Sequence, residues 1–229
     1  MSARRLDVPS PPRYSHGRMI PERPETIAGA SGPTLEGALT LPARARAGVV
    51  VCHPHPLYGG DMDSPVVTAA ARACAEAALA TLRFNFRGVG DSGGGWDEGR
   101  GEQDDVRAAL AHLRGLLPAG APLALAGYSF GAAMSAAVAG AGEPLAGLAL
   151  IAPPLAMRPW QPPASFAVAG PILLIAGSAD EYCPAAALTA LGRALPKATV
   201  TVLDGVDHFF FAGLDRLGSA VGGWAAAIS

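Results

Sequence analysis

From residue 48 onward, short unbroken apolar runs alternate with longer stretches in which apolar side chains recur every three or four positions. Residues 48–52 (Gly-Val-Val-Val-Cys) form such a run, and 82–86, 123–128, 145–152, 172–176 and 199–203 are the further strands expected. Continuous apolar runs of this length suit strands buried on both faces of a parallel sheet. Between them, residues 65–80, 102–117, 130–139, 184–195 and 214–228 carry the helical period, the fourth with Pro184 at its first position. Strand and helix in strict alternation predict βαβ units and therefore a mainly parallel sheet covered by helices on both faces. Ahead of this region a hairpin is expected, with a strand at 26–28, a turn at 30–33 and a return strand at 35–41. Residues 1–25 hold five prolines and no apolar period, and they read as an extended or flexible arm. The division expected is thus an arm, 1–25, and one α/β domain, 26–229.

Composition narrows the function classes. A chain of 229 residues with 50% hydrophobic and 16% charged residues has the material for one sizeable core. A formal net charge of −2 provides no electrostatic footprint for nucleic acid or an anionic membrane. No stretch approaches the roughly 18–20 apolar residues that span a bilayer, and the charged N-terminus lacks the apolar segment of a secretory leader. Cys52, Cys74 and Cys183 are widely separated and form no CxxC pair. Free thiols and a cytoplasmic location are the corresponding expectation.

Candidate chemistry collects where predicted strands end. Gly127-Tyr128-Ser129-Phe130-Gly131 is a G-x-S-x-G sequence placed between a strand and a helix. Such a turn lifts a serine hydroxyl off the sheet, and glycines on either side remove the Cβ atoms that would collide there. A serine hydroxyl needs a base to take its proton. His208 follows the last strand and so lies at the same carboxyl edge of the sheet. An acid must then orient the imidazole. Asp180, after strand 172–176, is chosen over Glu181, which points toward the next helix, and over Asp207, which adjoins the base. The order Ser129, Asp180, His208 is the one this architecture uses.

Stabilising an oxyanion takes the Phe130 N–H and one amide from the loop after the first core strand. In Cys52-His53-Pro54-His55-Pro56-Leu57-Tyr58-Gly59-Gly60, the prolines lack an N–H, which leaves His55 and Leu57 as candidates. His53 and His55 have no acidic or Cys partner at ligand spacing, so they are read as shaping the loop, and no metal or other cofactor is expected. Tyr58, Trp160 and Phe209 are the side chains expected to shape a substrate pocket. The Pro-rich stretch 153–170 is too short for a second domain and is read as a loop or small lid.

Three stretches, His53–Gly60, Phe84–Gly94 (Phe-Asn-Phe-Arg-Gly-Val-Gly-Asp-Ser-Gly-Gly) and Gly127–Gly131, resemble the α/β-hydrolase superfamily. Within it the chain is similar to small bacterial hydrolases of the dienelactone-hydrolase-like or carboxylesterase-like kind, from about Thr26 to the C-terminus. The resemblance implies catalysis by Ser129, Asp180 and His208. The tight glycine-rich loop Phe86–Ser92 is read as structural, with Arg87 hydrogen-bonding neighbouring backbone. True dienelactone hydrolases use a cysteine where this chain has Ser129, which argues against a dienelactone substrate. The expected activity is hydrolysis of small carboxylic esters through an acyl-enzyme, with a small-molecule ester as the partner and no nucleic acid or membrane. A thioesterase, a prolyl-type peptidase and a non-catalytic binding protein on the same fold are the alternatives.

Overall fold

In a computed structural model of the chain, residues 21–29, 32–157, 162–163 and 165–228 are described. Among these described residues, eight strands form one sheet in the order β1-β2-β4-β3-β5-β6-β7-β8. The strands are β1 (Glu22–Ala28), β2 (Thr34–Thr40), β3 (Gly48–Cys52), β4 (Ala80–Phe84), β5 (Leu123–Tyr128), β6 (Gly147–Ile151), β7 (Ile172–Gly177) and β8 (Ala198–Leu203). β1 and β2 pair antiparallel, β2 joins β4 antiparallel, and every pairing from β4 to β8 is parallel. The α-helices found among the described residues are α1 (Pro65–Glu76), α2 (Arg100–Leu116), α3 (Phe130–Gly140), α4 (Ala185–Ala194) and α5 (Leu214–Ala226). α1 packs on α5 and α2 on α3, one pair to each face of the sheet. This is a single α/β domain with an antiparallel N-terminal pair, as the alternation of runs predicts. No helix among the described residues is long and apolar enough to cross a membrane.

Two boundaries differ from the sequence expectation for physical reasons. β1 begins at Glu22, so residues 22–25, counted with the arm, are strand. Pro24 is tolerated because β1 is the edge of the sheet, where a missing N–H breaks no ladder. The expected helix 65–80 stops at Glu76: Ala78 takes φ +63°, and Ala80 already pairs with Gly48 as the first residue of β4. Local alanine propensity loses there to strand pairing. Pro184 stands just ahead of α4 as its N-cap rather than inside it. The expected turn residues Ala30 and Ser31, and most of the arm, lie outside the described residues.

The strand order reverses direction at β3, whose neighbours are β4 on one side and β5 on the other. Loops leaving the carboxyl ends of β3 and β5 therefore diverge and open a crevice, the place where sheets of this kind hold ligands. The loop His53–Gly60 and the Ser129 turn flank that crevice. β3 and β5 are buried along their whole length, and α3 is buried on nearly every side, its alanines allowing close approach to the sheet. The floor beneath the crevice is thus rigid, close-packed core.

Candidate active site

The turn after β5 is the most constrained point in the chain. Ser129 has φ +54° and ψ −114°, a conformation that only glycine adopts without strain. It is held there by its own N–H, which donates to the Ile151 carbonyl at 2.9 Å. The flanking glycines are sterically required. A Cβ on Gly127 would lie 2.2 Å from the Gly131 carbonyl oxygen, and one on Gly131 would lie 2.3 Å from the Cys52 oxygen. The second contact also brings the loop after β3 against the first turn of α3. Ser129 is half-buried.

Two further loops converge on this hydroxyl. His208 Nε2 lies 3.1 Å from Ser129 Oγ, and His208 Nδ1 lies 2.8 Å from Asp180 Oδ2. With the carboxylate accepting from Nδ1–H, Nε2 is left to accept from the hydroxyl. Asp180 is buried, and its Oδ1 accepts the Tyr182 and Cys183 N–H groups at 2.9 and 2.8 Å. Both carboxylate oxygens are thereby engaged, which opposes rotation of the group away from the ring. Glu181 is exposed, and the buried Asp207 Oδ1 has no partner among the described residues. Of the three acids, Asp180 alone reaches the ring.

The acid and base loops are tied to each other independently of the histidine. Ala179 N–H donates to the Val206 carbonyl at 2.9 Å and Ser178 N–H to the Leu203 carbonyl at 2.8 Å. Gly177 permits this, since a Cβ there would fall 1.9 Å from the Val206 oxygen. Tyr128, the residue before the nucleophile, donates its hydroxyl to the His208 carbonyl at 3.0 Å. Burial, with Asp180 and Asp207 nearby, pushes the Tyr128 phenol up, so it remains a donor. Burial and the Asp180 charge likewise push the Cys183 thiol up, which keeps it protonated and unreactive beside the acid.

The amides expected as oxyanion donors lie at the start of α3 and in the loop after β3. Phe130 is the first residue of α3, and its N–H has no acceptor within the helix. In the loop after β3, the Leu57 N–H donates to His55 Nδ1 at 3.2 Å, whereas the His55 N–H has no acceptor among the described residues. The His55 ring packs against Phe130, Trp96 and Tyr58 with centroids 5.0, 4.7 and 4.7 Å away. His53 is a structural residue. Its Nε2 accepts the Phe86 N–H at 3.0 Å and its Nδ1 lies 2.6 Å from the Pro54 carbonyl. Arg87 is structural too: it forks onto Asp105 through Nε and Nη2, the latter at 2.7 Å, beside the start of α2.

The aromatic surroundings are partly those expected. Tyr58 and Phe209 are exposed, Tyr58 with its ring 4.7 Å from that of His55 and Phe209 with its ring 5.6 Å from that of His208, while Trp160 lies outside the described residues. Sequence reasoning missed Tyr128, Tyr182 and Phe211. The Tyr182 ring sits 4.8 Å from that of His208, and Phe211 stacks on Phe209 at 5.7 Å. The run Phe209-Phe210-Phe211 was the visible signal, but it does not tell which ring turns inward.

Known proteins agree with this architecture. The family described as serine aminopeptidase, S33 matches residues 43–170, more than half of the chain. An α/β serine hydrolase homologue from Coxiella burnetii is 35% identical with a TM-score of 0.78, covering 87% of this chain and 95% of its own. A lidless α/β serine hydrolase from Xanthomonas campestris is 37% identical with a TM-score of 0.74, covering 90% and 94%. An uncharacterized protein of Rickettsia prowazekii (strain Madrid E) is 45% identical over 83 residues, 36% of this chain, and the match spans only 35% of that relative's length. The chain belongs to the serine aminopeptidase, S33 family of the α/β-hydrolase superfamily, and it is a hydrolase.

Proposed function

We propose that the protein hydrolyses small carboxylic esters through an acyl-enzyme, with Ser129 as nucleophile, His208 as general base and acid, and Asp180 as the group that orients the imidazole. The observation that carries this reading is the continuous path from Ser129 Oγ to His208 Nε2 at 3.1 Å and from His208 Nδ1 to Asp180 Oδ2 at 2.8 Å. Ser129 Oγ attacks the ester carbonyl as its proton passes to Nε2. The carbonyl oxygen becomes an oxyanion, for which the Phe130 and His55 N–H groups are the proposed donors. The Leu57 amide, already engaged by the His55 ring, is the weaker candidate. Each such donor contributes about 3–4 kcal/mol to the transition state. His208 then protonates the departing alkoxide. Water attacks the acyl-enzyme with His208 as base, and the carboxylic acid leaves as the proton returns to Ser129.

An open site that favours short acyl groups is supported by likeness to a relative described as lacking a lid. The family description names an aminopeptidase, which favours amide hydrolysis as the second reading. Matched ester, thioester and amide substrates with one acyl group discriminate the two. The ester is expected to turn over fastest, and preference for the amide would replace the esterase reading. A fluorophosphonate probe is expected to label wild type and not Ser129→Ala. A folded wild type that resists labelling would return the protein to a non-catalytic role.

A further inference from the structure

The base side of the site carries an exposed aromatic surface that no part of the acyl-transfer chemistry explains. Tyr182, Phe209 and Phe211 are 42%, 54% and 83% exposed. Exposure of large rings in one cluster is uncommon unless the surface receives something apolar. The backbone is shaped to present them. Phe210, between the two exposed rings, is fully buried at φ +58°, a strained value for a bulky side chain, and its ring meets Tyr128 edge-on at 6.2 Å. With Phe210 turned inward, Phe209 and Phe211 lie on the outside with their rings within 30° of parallel. Tyr182 extends the same surface from the acid loop, 4.8 Å from the His208 ring, and Phe209 adjoins that ring edge-on at 5.6 Å.

We infer that Tyr182, Phe209 and Phe211 form a shelf beside His208 that receives the alcohol half of the ester, so that the enzyme selects bulky apolar, and above all aromatic, leaving groups. This rests on the proposed roles of Ser129 and His208, and the argument is one of proton transfer. The bond from the carbonyl carbon to the alkoxy oxygen breaks as that oxygen takes the proton His208 Nε2 received from Ser129. The alkoxy oxygen must therefore lie within hydrogen-bond reach of Nε2, which places its substituent on the histidine side. The rings found there are Tyr182, Phe209 and Phe211. His55, Tyr58, Trp96 and Phe130 pack together on the amide-donor side, which leaves that side to the acyl group.

The test uses acetates of ethanol, cyclohexylmethanol and benzyl alcohol, primary alcohols whose similar basicity keeps leaving-group chemistry nearly constant. Wild type is expected to show kcat/KM for benzyl acetate about tenfold above that for ethyl acetate, with the cyclohexylmethyl ester between. Phe211→Ala, at a position exposed enough that folding is not at stake, should lower the benzyl-to-ethyl ratio severalfold. The ratio of ethyl hexanoate to ethyl acetate should stay the same. A benzyl-to-ethyl ratio near one in an active, fluorophosphonate-labelled wild type overturns the shelf while leaving the esterase reading intact. A Phe211→Ala effect confined to the hexanoate ratio overturns it as well, by assigning the rings to the acyl group. No labelling and no ester turnover at all would remove both readings together.

Discussion

The Tyr128 hydroxyl donates to the backbone carbonyl of His208 at 3.0 Å, so the residue before the nucleophile holds the loop that carries the base. The strand that fixes Ser129 and the loop that fixes His208 are thereby referenced to one another. Tyr128→Phe keeps the buried ring and removes only the hydroxyl, leaving the His208 carbonyl without this donor. A lost hydrogen bond of about 1–1.5 kcal/mol corresponds to roughly a five- to tenfold change. We expect kcat for an ester to fall by about that factor with KM within about twofold. A lower Tm with kcat unchanged would reduce Tyr128 to a core residue with no positioning role.

Asp180 is locked by two backbone N–H groups on Oδ1 while Oδ2 faces the imidazole. Asp180→Asn replaces one carboxylate oxygen with an NH2 that cannot accept from Nδ1–H, which favours the wrong tautomer. Turnover should drop about 10³–10⁴-fold with the far-UV CD spectrum unchanged. Glu181→Gln, at an exposed position, should be nearly silent. Steady-state rates of the two variants, measured side by side, check the assignment. Near-normal turnover in Asp180→Asn would return the role to Asp207 or Glu181.

Ser129 sits at φ +54° and ψ −114°, where any side chain is strained. Strain of this kind costs about 1–3 kcal/mol. Replacing Ser129 with glycine should therefore make the protein more stable than wild type by about 1 kcal/mol or more, while Ser129→Ala keeps the Cβ and the strain. Elsewhere in a helix or strand the ordering is the reverse, glycine being less stable than alanine by about 0.5–1 kcal/mol. Urea denaturation of the two inactive variants decides the matter. Alanine proving the more stable of the two would mean that the turn is not strained.

Elements whose physics is local were readable in advance. β3 and β5 are unbroken apolar runs because both faces are covered, and Gly127 and Gly131 flank the serine because no Cβ fits. The convergence of Ser129, Asp180 and His208 followed from all three lying at strand ends of one parallel sheet. What was hidden depends on partners distant in sequence. Ala77 to Ala80 look helical until Ala80 pairs with Gly48, and Glu22 to Glu25 look irregular until β2 offers a ladder. The His55 ring bending back onto the Leu57 amide was hidden as well, because residue spacing does not reveal such a side-chain contact. Phe211 was invisible because three consecutive phenylalanines carry no period that says which one the core will take.

His53 makes a separate prediction about stability and pH. Burial pushes its pKa from the ordinary 6.5 down to about 4. The Phe86 N–H aimed at Nε2 works in the same direction, because a proton on that nitrogen would oppose a second donor. Between these two values the unfolded chain binds a proton that the folded chain refuses. The stabilising contribution is therefore fully present above about pH 6.5 and is lost as pH falls toward 4. Its full size is about 3 kcal/mol, of which roughly 2 kcal/mol should vanish between pH 7 and pH 4.5. His53→Gln, which can still accept from Phe86 and donate to Pro54, should lose less stability over that range than wild type, the difference being read from urea unfolding at the two pH values. Direct titration of the His53 ring by NMR in the intact protein gives a second readout, with no protonation expected above about pH 5. Parallel losses in wild type and variant, or a ring that protonates near pH 6.5, would show that the buried imidazole does not resist the proton.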